Sequence, residues 1–99
     1  MKLTEISNTG VIDANFNGHW KQEVILTNEK GEKYKICINR TSPRSGLYKW
    51  SDKEGWLYVM EKNTVKDFKI DVAYWDMPRV SQSIYEPVIK YFKKMIENF

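Results

Sequence analysis

Hydrophobic and polar residues alternate with a period of two along several stretches of the chain. In 33–39 the apolar residues take the even positions and polar residues most of the odd ones, and 66–74 has the same pattern. In 19–27, Trp20, Val24 and Leu26 share a face with Gln22. Because successive side chains of a strand point to opposite faces, this alternation predicts half-buried β-strands. Segments 11–16 and 47–50 are weaker strand candidates.

Turn sequences separate these stretches at intervals of about ten residues, the spacing of a β-meander or barrel. Asn17-Gly18 is a two-residue hairpin signal and predicts that 11–16 pairs with 19–27. Segment 56–61 is apolar at nearly every position, which predicts a central strand or one covered on both sides.

The period changes after Pro78. Ser83 and Glu86 fit a capping box, with Ser83 as N-cap, and this places Pro87 at the fourth helical position. Beyond them one side of a helical wheel is apolar and centred near Phe92, while lysines and polar residues occupy the other side. We expect this helix, at about 82–98, to cover the sheet.

The pattern therefore predicts an α+β fold: an antiparallel β-meander or half-barrel of about five to six strands, covered by one C-terminal amphipathic helix. With 99 residues, 41% apolar and 14% aromatic, the chain suits one domain over 1–99, strand-rich in 1–76. Cys37 is the single cysteine, so the fold does not depend on an internal disulfide. We expect a cytoplasmic protein without a secretory signal or membrane span.

Positive charge is concentrated in one window. Residues 30–53 hold seven basic and two acidic residues, a net of +5 in a chain whose total is +3. The window includes a predicted basic loop, 40–46, followed by Tyr48 and Trp50, of which we expect Trp50 to be buried. A basic face beside aromatic rings suits an acidic protein surface or single-stranded nucleic acid, although a solvated sheet edge has a similar composition. The candidate binding residues are Arg40, Arg44, Lys33, Lys35, Tyr48, Lys49, Trp50 and Lys53.

Catalytic and metal-binding patterns are weak. With one histidine, His19, and one cysteine, a structural zinc site is excluded for practical purposes. Asp67, Asp71 and Asp76 are the candidate carboxylates for a magnesium site. Asp67 and Asp71 share a strand face in the predicted register, but acids that alternate with apolar residues more often mark the solvent side of a sheet. We therefore expect no metal, no cofactor and no enzymatic activity, and packing rather than covalent chemistry at Cys37. A small metal-independent ribonuclease-like toxin is a third possibility, with roles for Arg40, Arg44, Tyr48 and His19.

The order of elements in 33–99, an antiparallel sheet followed by one helix, resembles the single-strand nucleic-acid binders of the PUR-repeat and Whirly type. Strands followed by a C-terminal helix in about 100 residues also resemble a pleckstrin-homology-like half-open barrel. The composition is typical of phage and mobile-element accessory proteins. The first hypothesis is a non-catalytic regulator or inhibitor that docks on a larger protein partner with an acidic surface. The alternative is a single-stranded nucleic-acid-binding domain; oligomeric state and strand order stay open.

Overall fold

The computed structural model describes residues 2–13, 20–39, 44–70 and 84–99. Its strands are β1 (Thr4–Asn8), β2 (Ile12–Asp13), β3 (Trp20–Thr27), β4 (Lys33–Asn39), β5 (Arg44–Ser51) and β6 (Gly55–Asn63). The helices are α1 (Thr64–Phe68) and α2 (Glu86–Glu97). Within these ranges, no helix is long and apolar enough to cross a membrane.

Five strands form an antiparallel meander in the order β1-β3-β4-β5-β6, and the short β2 pairs with β3. The sheet is open, and α2 follows it in the chain. The α+β class, the meander and the C-terminal helix are thus confirmed. The predicted pairing of 11–16 with 19–27 is observed as Ile12 opposite Lys21, while the Asn17-Gly18 turn lies outside the described residues.

The core lies between α2 and one face of the sheet, which we call the inner face. The even positions of β3 from 22 to 26 and those of β4 are buried there, as their alternation predicts. From α2, Phe92 is fully buried and is accompanied by Val88, Ile89 and Ile96. The other side of the sheet, which we call the outer face, carries the odd positions of the same strands.

The predicted strand in 66–74 is wrong over its first residues, which form α1. The Asn63 side chain caps this helix by accepting a hydrogen bond from the backbone N–H of Lys66 at 2.8 Å. The Asp67 carboxylate accepts the Asn63 N–H at 2.9 Å in return. These two local bonds satisfy helix-terminal donors that the hydrophobic alternation does not report. Residues 71–74 lie outside the described part.

Helix α2 begins at Glu86, later than the capping box predicts, and its N-cap is Tyr85. Pro87 therefore occupies the second helical position, where the missing N–H removes no intrahelical bond. The predicted N-cap Ser83 is thus wrong, and Ser83 itself lies outside the described residues.

Strand β6 ends the sheet order, so the prediction that 56–61 is central is wrong. Leu57, Tyr58 and Val59 are exposed. A shift in pairing register beside Tyr48 marks a β-bulge at this strand, a device that commonly bends sheet edges. An apolar run can therefore be a buried central strand or an exposed edge strand, and only the tertiary arrangement distinguishes the two.

A lysine and aromatic face on the sheet

The strand register brings distant residues into rows on the outer face. In one row Lys35 pairs with Tyr48, and Tyr48 pairs with Tyr58 on the next strand. In the neighbouring row Trp50 pairs with Trp56. Lys33 lies beside this second row on β4. We call this set the aromatic–lysine face, and its members are Lys33, Lys35, Tyr48, Trp50, Trp56 and Tyr58.

The two lysines lie over the rings of this face. The Lys33 ammonium is 4.5 Å from the centroid of the Trp50 ring and 5.7 Å from that of Trp56. The Lys35 ammonium is 4.8 Å from the Trp56 ring and 5.5 Å from the Tyr48 ring. These distances allow cation–π attraction, which holds a cation without neutralising its charge.

The rings support one another through edge-to-face contacts. Trp50 and Trp56 have centroids 5.2 Å apart at an interplanar angle of 71°, and Tyr48 and Tyr58 are 6.2 Å apart at 75°. Tyr58 is the most exposed of the four rings, at 61%. The Tyr48 ring lies over Gly46, where an added Cβ would come within 2.9 Å of a ring carbon. The absence of a side chain at Gly46 therefore leaves the space that the Tyr48 ring occupies.

Tyr48 and Trp50 lie on one face, as their two-residue spacing predicts. The expectation that Trp50 is buried is wrong, because its side chain is 37% exposed. Its indole N–H donates to the Asp52 carboxylate at 2.8 Å, which satisfies the ring's polar atom at the solvent boundary.

Lys49, another candidate binding residue, lies on the inner side of β5, opposite Tyr34. Its ammonium donates to the Glu32 carboxylate at 2.7 Å. This hydrogen bond raises the pKa of Lys49 and lowers the pKa of Glu32, because each group stabilises the charged form of the other. Because it lies on the inner side of the sheet, Lys49 does not belong to the aromatic–lysine face.

The remaining basic candidates are dispersed. Arg44 belongs to β5 rather than to a loop, and its guanidinium contacts the Glu61 carboxylate at 3.2 Å. The prediction of a basic loop over 40–46 is therefore wrong from Arg44 onward. Lys53 is exposed in the turn between β5 and β6. Arg40 lies outside the described residues.

Trp56 and Tyr58 were missed as site residues. The signal was present, since Trp56 and Tyr58 have the same two-residue spacing as Tyr48 and Trp50. This spacing does not stand out in the sequence, because Leu57 and Val59 make the segment apolar on both sides, which is also typical of a buried strand.

The surroundings of the Cys37 thiol disfavour its thiolate form. Burial raises its pKa, and the nearby Glu23 carboxylate, 3.8 Å from Sγ, raises it further. A thiol with a raised pKa is mostly protonated and weakly nucleophilic at neutral pH. No group of three or more metal-ligating side chains occurs among the described residues, where Asp67 serves as a helix cap. His19, Asp71 and Asp76 lie outside them.

Comparisons of the chain with protein-family models, curated proteins and solved structures give no match. The chemistry of the face must therefore be argued from its geometry. It offers flat aromatic surfaces and two ammonium groups on one side of a rigid sheet, which suits a ligand that combines planar groups with negative charge.

Proposed function

We propose that the protein binds single-stranded nucleic acid through the aromatic–lysine face. The observation that carries this proposal is the placement of two lysine ammonium groups, Lys33 and Lys35, among four aromatic rings on the outer face of the sheet. The sheet and α2 serve as a rigid support for this face.

The rings supply the stacking component. Bases of a single strand stack on aromatic side chains, and each such contact contributes about 1–3 kcal/mol with little dependence on sequence. Tyr58 is exposed enough to receive a base, and Trp50 extends the surface to the neighbouring row. Their mutual edge-to-face contacts hold the rings in place, so that little conformational entropy is lost on binding.

The lysines supply the phosphate component. Lys33 and Lys35 are two residues apart on β4, so their side chains emerge about 7 Å apart on the same face. A lysine over a ring keeps its full charge and can still donate hydrogen bonds to a phosphate. Binding should release counterions from the strand and weaken as salt is added.

The identity of the cations favours nucleic acid over a protein surface. Lysine is depleted from protein–protein interfaces, whereas arginine is enriched. Here the face carries lysines, while Arg44 is held by Glu61. Docking on an acidic protein surface, as a regulator or inhibitor, is the second candidate. It draws support from the exposed apolar side chains of Leu57 and Val59 along β6.

The test is a titration of fluorescent single-stranded oligonucleotides at several salt concentrations. The variant Lys33→Gln/Lys35→Gln should bind at least tenfold more weakly at low salt. The slope of the logarithm of its binding constant against the logarithm of salt concentration should be flatter by about 1.4, since each lost phosphate contact on a single strand removes about 0.7. The matched control Lys90→Gln/Lys94→Gln removes the same charge from exposed positions of α2 and should leave the slope near the wild-type value.

Equal losses in the two variants would contradict the proposal, because only overall charge would then matter. The absence of binding to any single strand would contradict it directly. A pull-down from host lysate with and without nuclease separates the second candidate, because an acidic protein partner should stay bound after nuclease treatment.

A further inference from the structure

We infer that two glutamates on the outer face, Glu23 and Glu61, limit the ligand to a short single-stranded segment that crosses the strands of the sheet. This inference rests on the proposed function and deepens it. It assigns a specificity role to residues that lie outside the aromatic–lysine face.

Strands β3, β4, β5 and β6 arrange the outer face in successive rows. Next to the row of Lys35, Tyr48 and Tyr58 comes a row that runs Glu23, Cys37, Gly46 and Glu61 across β3, β4, β5 and β6. We call it the acidic row. One row further along, the sequence across the same strands is Lys21, Asn39, Arg44 and Asn63.

Charge along the strands thus alternates between rows. The aromatic–lysine face carries Lys33 and Lys35, the acidic row carries two carboxylates, and the row beyond it is basic again. A nucleic-acid strand lying parallel to the β-strands would leave the lysines over Cys37 of β4 or over Gly46 of β5. At Cys37 the Glu23 carboxylate leans in to 3.8 Å from Sγ, and Gly46 lies beside Glu61 on the next strand. Phosphates near those carboxylates would be repelled, since placing like charges side by side costs free energy.

A nucleic-acid strand lying across the β-strands avoids the acidic row. It passes from the exposed Tyr58 on β6 over Tyr48 to Lys35 on β4, or from Trp56 over Trp50 to Lys33. Neighbouring strands are about 4.8 Å apart, so the path from β6 to β4 is about 10 Å long. At about 3.4 Å for each stacked nucleotide, this path accommodates about two to four nucleotides.

Glu61 also holds Arg44. The Arg44 guanidinium contacts the Glu61 carboxylate at 3.2 Å, and 64% of the Arg44 side chain is exposed. Removing the carboxylate would therefore both end the repulsion and release a cation that can bind phosphate. The acidic row thus separates two basic rows that would otherwise form one longer site.

The experiment measures the affinity of oligothymidylates of 2 to 12 nucleotides for the wild-type protein and for Glu23→Gln/Glu61→Gln. In the wild type, affinity should rise up to about four nucleotides and then stay level, after correction for the number of binding registers. In the variant, the affinity of the 12-mer should rise at least threefold more than that of the 3-mer. The salt slope for the 12-mer should steepen by about 1.4, as Lys21 and Arg44 acquire two phosphates.

The control Glu29→Gln/Glu97→Gln removes two exposed carboxylates away from the face and should raise the affinity of both lengths equally. Wild-type affinity that keeps rising from 4 to 12 nucleotides, or a Glu23/Glu61 variant with unchanged length dependence, would overturn the inference while leaving the proposed function intact. A wild-type protein that binds no length would overturn both.

Discussion

The inner and outer faces of the sheet are built by the same strands through the same alternation, and aromatic side chains occur on both. On the inner face Tyr34 is buried beneath α2, and its ring lies 5.7 Å from that of Phe99. On the outer face the rings of Trp50 and Tyr58 are open to solvent. Alternation alone therefore does not separate a core face from a binding face; what lies over each face does.

The lysines show the same contrast in charge. Lys49, on the inner side, is matched by the Glu32 carboxylate at 2.7 Å. Lys33 and Lys35, on the outer side, lie over aromatic rings that attract a cation but carry no net charge. Lys49 also lies 5.8 Å from the centroid of the Tyr34 ring, so the carboxylate is what distinguishes it. A carboxylate neutralises the charge of a lysine, whereas a ring leaves that charge available for an anionic ligand. The predictions below test this division.

The largest effect is expected on the inner face. Phe92→Ala removes a fully buried ring from the contact between α2 and the sheet. Such truncations lower the free energy of unfolding by about 3–5 kcal/mol, a large part of the stability of a domain of this size. Chemical denaturation measures this loss. An unchanged midpoint would mean that α2 does not form the core.

An intermediate effect is expected on the outer face, and on binding rather than stability. Tyr58→Ala should weaken single-strand affinity by about 1–3 kcal/mol, the value of one stacked base. Its free energy of unfolding should change far less than that of Phe92→Ala, because the Tyr58 ring is 61% exposed. Phe99→Ala, an exposed ring beside α2, is the matched control and should keep wild-type affinity. Loss of affinity in both variants would remove the distinction between the faces.

The smallest effect concerns the ion pair of Glu32 and Lys49. Hydrogen bonding to Lys49 lowers the pKa of Glu32 below its ordinary value of 4.5. The resulting stabilisation is present above pH 4.5 and is lost as the pH falls through the lowered pKa. Glu32→Gln should therefore flatten the decline in stability below pH 4.5, as followed by thermal unfolding at a series of pH values.

Glu29→Gln is the control for this experiment, because Glu29 is exposed on the turn just before Glu32. Any change that it shares with Glu32→Gln reflects the loss of a carboxylate from this turn rather than the loss of the ion pair. Identical curves for Glu32→Gln and the wild type would show that the pair contributes nothing to folding.

The sequence by itself determined the α+β class, the inner-facing positions of β3 and β4, and the helix centred on Phe92. These features depend on periodicity, because a strand must bury every second residue and a helix one stripe. Local chemistry competed with periodicity at the start of 66–74. There the caps formed by Asn63 and Asp67 close a short helix that the alternation does not reveal.

Only the tertiary structure decided which cations share a face with the rings. Strand order placed β6 at the end of the sheet and thereby exposed Tyr58. Strand register set Lys35 beside Tyr48 and Glu61 beside Gly46. The fold also brought Lys49 and Glu32 together as an ion pair. Each strand buries its own apolar residues, so the positions that are buried can be recognised from the alternation within that strand's sequence. Pairing between strands joins residues far apart in the chain, and their proximity exists only once the sheet has formed.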